Sequence, residues 1–322
     1  MSEITIVIPN YNGINYIEEC LLSLDRQTIK EYHTIVVDNC STDGSDDLVA
    51  RNHPDVQLLC LDKNYGFSYA VNRGIEIANS KYVLLLNNDT IVTEDFVENM
   101  KKSIDKSEKI FSVSAKMIQM SAKDKIDSAG DMYCALGWAY SRFKDKKISR
   151  GKMHVNIFSA CAGAAIYRKS VFEKIGMFDK NHYVYLEDVD IGYRAKLYGY
   201  ENRFEPTAVV YHAGSAVSGS RHNEFKVRIS AKNNVYLLYK NMPFLQLLIN
   251  FPLLFLGGLV KYIFFVRKKL NKSYLDGVKE GFAFCRTEEA RGNKVRFKVV
   301  NLWNYIIVEV ELIINMFLKI IY

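Results

Sequence analysis

Four short runs, ITIVIP (4–9), HTIVVD (33–38), VQLLCL (56–61) and YVLLLN (82–87), are near-continuously apolar and alternate with helical patterns at 16–25, 44–51 and 68–78. A strand with one wet face alternates polar and apolar residues, whereas one covered on both faces reads as unbroken Val, Ile and Leu. The pattern therefore demands a largely parallel sheet between helices, joined by right-handed crossovers. In such sheets a ligand sits beyond the carboxyl ends of the strands. Those ends read Pro9-Asn10-Tyr11-Asn12-Gly13, Asp38-Asn39-Cys40-Ser41, Asp62-Lys63-Asn64 and Asn87-Asn88-Asp89. Polar and acidic side chains thus gather along one edge.

A chain of 322 residues, 49% apolar, has room for a domain of about 200 residues and an extension. Residues 111–214 are less regular, with a basic loop-like stretch at 142–152 and a helical pattern at 189–198, preceded by acids and followed by Gly199. The N-terminus enters a strand at once, with no basic leader and no small-residue cleavage site, so the catalytic part is expected in the cytosol. Six cysteines lie far apart without a CxxC pair, which argues against a zinc site or a disulfide framework. Residues 1–220 carry 26 Lys and Arg against 29 Asp and Glu, while residues 221–322 carry 17 against 7. The basic charge belongs to the tail, where a partner of negative surface would meet it.

Single residues leave their roles open. Asp89 can cap a turn or hold a divalent cation, which takes one or two protein carboxylates and fills its remaining positions with water and phosphate oxygens. Asp38 stands where a dehydrogenase would bind ribose, but the first turn, PNYNGINY, lacks GxGxxG, and the Walker phosphate loop is absent too. Glu187, Asp188 and Asp190 crowd a helix start, where acids favour the dipole and cap free amides. A general base on that rigid element is the functional alternative. His212, ending TAVVYH, is a packed histidine or a ligand.

Together the segments say more. TIVIPNYNG, VVDNCSTDGS, NYGFSYAVNRGI, LLLNNDTIV, GAAIYRKSVFEKIGMFD, YLEDVDIGYR and VVYHAGS occur in the order and spacing seen in inverting family 2 glycosyltransferases of the GT-A fold. Over residues 3–220 the chain resembles that family, and within it the rhamnosyltransferase-like branch, which carries a comparable GS…R segment and a basic apolar extension. The resemblance implies a GT-A nucleotide-sugar-binding fold over 1–220, with a nucleotide half (1–110) and an acceptor half (111–220), followed by a helical extension (221–322). Pro9, Asn10, Tyr11 and Asp38 would hold base and ribose, and Asn64, Gly66, Asn72 and Arg73 would line the nucleotide and diphosphate. Asn88 and Asp190 would also face the substrate. Asn87-Asn88-Asp89 would be the family's D-x-D motif, with Asp89 as the carboxylate ligand of Mg²⁺ or Mn²⁺, His212 a further ligand and Asn87 in place of the first acid. Asp188, beside Glu187, would be the catalytic base. The donor implied is dTDP-L-rhamnose, with a UDP-hexose second, and the acceptor a saccharide, lipid-linked, in cell-surface polysaccharide synthesis. No nucleic-acid partner is expected. A non-catalytic membrane-bound scaffold is the rival reading.

The tail holds two long apolar stretches. Residues 243–260 carry no charge but include Pro252 and Gly257-Gly258, and residues 299–322 carry Glu309 and Glu311 near their middle. Spanning helices need about 20 apolar residues, so both stretches fit helices lying in the interface better, with Trp303, Tyr305 and Tyr322 at headgroup level. The expected place is the cytoplasmic face of the plasma membrane, against anionic lipid. A homodimer through the same helices is the alternative use of those apolar faces.

Overall fold

The computed structural model describes residues 2–214 and 222–322, so Ser218 to Arg221 of the GS…R segment, and the expected boundary at residue 220, lie outside the described residues. The alternation read from the sequence is present: β1 (Ile4–Asn10), α1 (Ile17–Asp25), β2 (Tyr32–Asp38), α2 (Ser45–Asn52), β3 (Gln57–Cys60), α3 (Phe67–Ile77) and β4 (Tyr82–Leu86). These four strands are parallel in the order β3-β2-β1-β4. Register places Asn10 beside Asp38 and Asp38 beside Cys60, so the polar ends line up. Val7, Val37 and Leu85 face one core and Ile6, Ile8 and Leu84 the other, which is why the strands read as unbroken apolar runs. Gly74 lets α3 sit directly on the sheet, since a Cβ there would lie 2.3 Å from Val7.

The second half changes direction. β5 (Thr90–Val92), α4 (Phe96–Ile104), β6 (Ile110–Gln119), β7 (Ala122–Ser128), the hairpin β8 (Asp131–Cys134) and β9 (Trp138–Ser141), β10 (Val155–Ile157), β11 (Ala164–Arg168), α5 (Lys169–Ile175), α6 (Glu187–Leu197) and β12 (Glu201–His212) follow. β11 runs antiparallel to both β4 and β6 and so extends the parallel half into a ten-stranded mixed sheet. β12 lies parallel to β6, with an irregularity between Glu205 and Val209, and its last three residues pair with β5. His212 thereby stands opposite Thr90, next to Asp89.

The extension comprises α7 (Glu224–Asn241), α8 (Phe244–Arg267), α9 (Asn271–Phe284), α10 (Glu288–Gly292) and α11 (Leu302–Ile321). Leu237 of α7 and Val308 and Leu312 of α11 share one apolar cluster with Val189, Tyr193 and Leu197 of α6 and Tyr133 of β8. α8 differs from the sequence expectation in length. It runs unbroken through Pro252 and both glycines, and Gly257 packs so closely on Leu136 that a Cβ would lie 2.1 Å from its carbonyl oxygen. Glu309 and Glu311 are absorbed by the fold: Glu309 accepts from Gln246 and Asn250 of α8, and Glu311 pairs with Lys196 of α6 at 2.9 Å. Of the three aromatics expected at headgroup level, Trp303 is 69% exposed, whereas Tyr305 is buried against Phe297 and Tyr322 packs on Phe143.

A buried polar network ties α6 to α7. Asp190, 0% exposed, accepts from Arg194 at 2.8 Å, Lys240 at 2.9 Å and Asn241 at 2.8 Å. Lys240 and Tyr236 also donate to Asp179, each at 2.7 Å. The expected substrate role for Asp190 is therefore corrected: its oxygens are occupied and none reaches solvent. His182 lies in the same pocket, fully buried, its ring 5.3 Å from that of Tyr236. Burial pushes the imidazole well down, to about 4 from 6.5. Above pH 6.5 the ring is neutral folded and unfolded, and below it the unfolded chain takes the proton first. Stability should thus fall between pH 6.5 and 4, by up to about 3 kcal/mol. Thermal melts across this range should show that loss, and His182→Phe should flatten it. Equal slopes for the two proteins would assign the acid sensitivity elsewhere.

Candidate active site

The strand ends of β2, β1 and β4 are joined by a chain of side chains. Asp38 accepts from Ser41 N–H at 2.8 Å, Ser41 Oγ at 2.6 Å and Asn10 Nδ2 at 2.8 Å, and Asn10 Oδ1 accepts from Asn88 Nδ2 at 2.7 Å. Pro9 precedes Asn10, the last residue of β1, and Tyr11, just after it, is 38% exposed. Gly13 makes the chain possible, because a Cβ there would lie 2.1 Å from Asn88 Nδ2 and 2.3 Å from Asn10 Oδ1. The adjoining loop is fixed by Asn64, whose Oδ1 accepts from Asn39, Gly66 N–H and the Tyr183 hydroxyl. Gly66 has φ 84°, and a Cβ would meet the Tyr183 ring at 2.3 Å. Asn64 and Gly66 therefore fix the loop between β3 and α3 against Tyr183.

Two expected nucleotide contacts are corrected. Asn72 clamps Phe178, donating to its carbonyl at 2.7 Å and accepting its N–H at 3.1 Å. Arg73 pairs with Glu76 on the surface of α3. Both line a separate hollow of 790 Å³ together with Asp179 and Arg296. They lie further along α3 than the turn that faces the strand ends, which is why sequence proximity to Gly66 misleads.

Across the mouth, the β5–β12 pairing brings His212 Nε2 to 3.3 Å from Asp89 Oδ1. The other ring nitrogen bonds Asp127 at 2.7 Å, and Asp127 bonds Lys144 at 2.7 Å. Burial alone would lower His212, but its bonds to Asp127 and Asp89 outweigh it and hold the ring up at about 9. Burial likewise pushes Asp127 up, and His212 with Lys144 more than reverse it, so its carboxyl sits below the usual range. Asn87 lines the same cavity beside Gly163 and Met117.

This cavity, of 1370 Å³, extends from His212 and Asp127 to a second acidic group, Asp131 and Asp188, with Cys161 beside them. Asp131 accepts from Ser141 at 2.7 Å and hydrogen-bonds Asp188. Burial, then the nearby Asp131 and Glu187 charges, hold the Asp188 carboxyl far above the usual range, and burial lifts Glu187 to about 7. Asp188 and Glu187 both line the cavity, and Glu187 is buried with one oxygen unpartnered. Asp188 also accepts the Val189 N–H at 2.7 Å, so part of the capping role is real. The segment before α6 is strained: Tyr183, Tyr185 and Leu186 all have φ between 61° and 70°. Asn233 of α7 holds it by donating to the carbonyls of His182, Val184 and Tyr185 at 2.7–2.9 Å. Asp127, Asp131 and Asn233 were not singled out in the sequence. The first two flank Ala129-Gly130, a turn signal between acids, which was the only available clue.

Residues 5–176 match the sequence profile described as glycosyl transferase family 2. The chain belongs to this family. It is 26% identical over 234 residues to the N-acetylglucosaminyl-diphospho-decaprenol L-rhamnosyltransferase of Mycobacterium tuberculosis, covering 64% of this chain and 75% of that protein. It is 34% identical over 104 residues to glycosyltransferase GlyA of Streptococcus pneumoniae, covering 32% of this chain and only 15% of that much longer relative. The fold is shared with a mannosyltransferase from Pyrobaculum calidifontis solved with GDP-Man and Mn²⁺, at TM-score 0.54 and 16% identity, covering 96% of this chain and 87% of that one. It is shared also with residues 1–349 of Staphylococcus aureus TarS solved with UDP, at TM-score 0.53 and 18% identity, covering 92% and 94%.

The strand-end chain in this family 2 glycosyltransferase is testable through Gly13. Gly13→Ala should force Asn10 and Asn88 apart and weaken nucleoside diphosphate binding about tenfold, the cost of one lost hydrogen bond to a buried group. Calorimetric titration reads this, with a melting curve to establish that the variant is folded. Unchanged affinity in a folded variant would remove the chain from the nucleotide site.

Proposed function

We propose that this chain is a divalent-metal-dependent, inverting transferase that moves a sugar from a nucleotide donor to a saccharide acceptor. The observation that carries the reading is the convergence of Asp89 and His212 at the strand ends, with Asp188 in the cavity that His212 also lines. The donor set fits a cation. His212 Nε2 and an Asp89 carboxylate oxygen lie 3.3 Å from each other, where a cation would replace the proton between them, and the second ring nitrogen is anchored by Asp127, as ligand histidines usually are. Mg²⁺ or Mn²⁺ suits such ligands, and when bound it offsets the charge that develops on a departing diphosphate. Asp89 and His212 would hold it, and Lys144 fixes Asp127 behind them. Asp188 takes the proton of the acceptor hydroxyl as that oxygen attacks the anomeric carbon on the face away from the diphosphate. Burial, then the charges of Asp131 and Glu187, raise its basicity.

The rhamnosyltransferase relative supports L-rhamnose as the transferred sugar and a diphosphate-linked polyprenol saccharide as acceptor, and dTDP-L-rhamnose is the donor we propose. A UDP-hexose is the second donor. Turnover decides between enzyme and scaffold. Asp89→Ala should abolish metal-dependent release of the nucleoside diphosphate, and His212→Ala should weaken it. Asp188→Asn should lower kcat by on the order of 10² while leaving donor affinity in place. Full activity of Asp89→Ala in excess chelator, or of Asp188→Asn with only a lowered melting temperature, would overturn the assignment. Glu187→Gln is the neighbouring control.

We place the protein on the cytoplasmic face of the plasma membrane, with α8 lying along the surface. The helix is long and apolar enough to cross, with mean hydropathy 1.8, but it is fastened along its length. Trp138 donates to Gly257 O at 3.0 Å, Lys261 to Gly137 O at 3.3 Å, and Gln246 and Asn250 bond Glu309. A spanning α8 would drag the β8–β9 hairpin with it. The exposed Phe244, Leu245 and Ile249 would enter the interface, and the basic tail favours anionic lipid by roughly 1 kcal/mol for each cation near the surface. In flotation assays the full chain should bind anionic vesicles, lose binding at high salt, and lose it on Leu245→Glu with Ile249→Glu. Retention through carbonate washing would instead mean a spanning helix.

A further inference from the structure

The cavity that holds Asp188 does not end at the acids. Its far half is walled by apolar side chains of α8 and α9, among them Leu254, Phe255, Leu259, Leu275 and Phe282. Two ammonium groups interrupt that wall. Lys261 of α8 donates to Gly137 O, and Lys319 of α11 lies 4.4 Å from the Tyr140 ring centroid and 5.6 Å from that of Trp138. Both stand around the β8–β9 turn, close enough for each to act on Cys134. Among the described residues neither has a carboxylate partner. Desolvation lowers the pKa of both amines, and the charge of Lys319 lowers Lys261 further. Half-buried cations without a carboxylate partner in an apolar wall favour an anion that carries a long apolar group.

A free saccharide has no use for this half of the cavity. A neutral lipid has no use for the two lysines. We propose that the apolar half takes the polyisoprenyl chain of a diphosphate-linked acceptor, with Lys261 and Lys319 binding the diphosphate while the attached sugar reaches Asp188. This rests on the lipid-linked reading given above and adds the site that recognises the link. The order along the cavity follows the order of such a molecule: chain against α8, diphosphate at the β8–β9 turn, sugar at the acids.

The test uses the full chain in detergent, carrying Trp303→Phe so that Trp138, of the two tryptophans, is the sole reporter. Geranylgeranyl diphosphate is titrated against geranylgeraniol and inorganic diphosphate. The lipid diphosphate should bind at least about tenfold more tightly than the alcohol, as charge-assisted hydrogen bonds imply. Inorganic diphosphate should not perturb Trp138 at the same concentration. Lys261→Gln with Lys319→Gln should abolish the preference, and Lys261→Arg with Lys319→Arg should retain it. Nucleoside diphosphate binding by the Gln pair reads the donor side separately. If it is lost as well, the variant is misfolded and the Arg pair decides. Equal binding of alcohol and diphosphate, or a preference that survives the Gln pair, overturns the proposal and leaves the transferase reading standing. So does a chain that sediments as a dimer and binds neither lipid, because a second copy then covers the apolar wall.

Discussion

The carboxylate of Asp190 is the constraint on which the rest of the architecture turns. A charge with no solvent access survives only if its oxygens are fully bonded, and here Arg194, Lys240 and Asn241 do so. Removing one partner of such a group costs about 3–5 kcal/mol, because the others are left charged and buried. Arg194 in turn holds the carbonyls of Gly176 and Met177, and Lys240 holds Asp179. Three segments far apart in the chain therefore meet at one point. α6 can present Asp188 to the cavity only in the position that this network fixes, and half of the network comes from the extension.

Much of this was legible in the residues and some was not, for reasons that lie in helical and hairpin geometry. The strand ends were visible because unbroken apolar runs stop abruptly in polar residues, and parallel register then puts Asn10, Asp38 and Asn88 side by side. Asp188 and Asp190 could not be told apart, since acids in a first turn look alike. Two positions along a helix is a rotation of roughly 200°, so one meets the cavity and the other the core. Asn72 and Arg73 suffered the same ambiguity on α3. Asp127 and Asp131 reach the site only because β7 folds back on β6 and the β8–β9 hairpin follows, and nothing in their spacing announces that return. α8 was read as weakened by Pro252 and its glycines, but contact with Leu136 makes Gly257 an asset to packing.

The two acidic groups divide the work by surroundings. Asp127 is held ionised by a histidine and a lysine, which keeps the His212 ring fixed in orientation. Burial and the acids beside it raise the affinity of Asp188 for a proton. Carboxyls in one cavity are thus driven in opposite directions, an arrangement that separates electrostatic support from proton transfer.

The fan of bonds from Asn233 to the left-handed segment before α6 bears on how such proteins can be recombined. A transferase half and a helical tail look like exchangeable modules when drawn as a string. They are not, because one amide of the tail holds the backbone turn that leads into Asp188. A chimera joined in the stretch after β12 would import a foreign α7, and unless that helix offered an amide at the position of Asn233 and an amine at that of Lys240, the strained turn would relax and the base would swing away. Change in the tail is thereby steered toward α8, α9 and α11, downstream of the helix that cannot be traded.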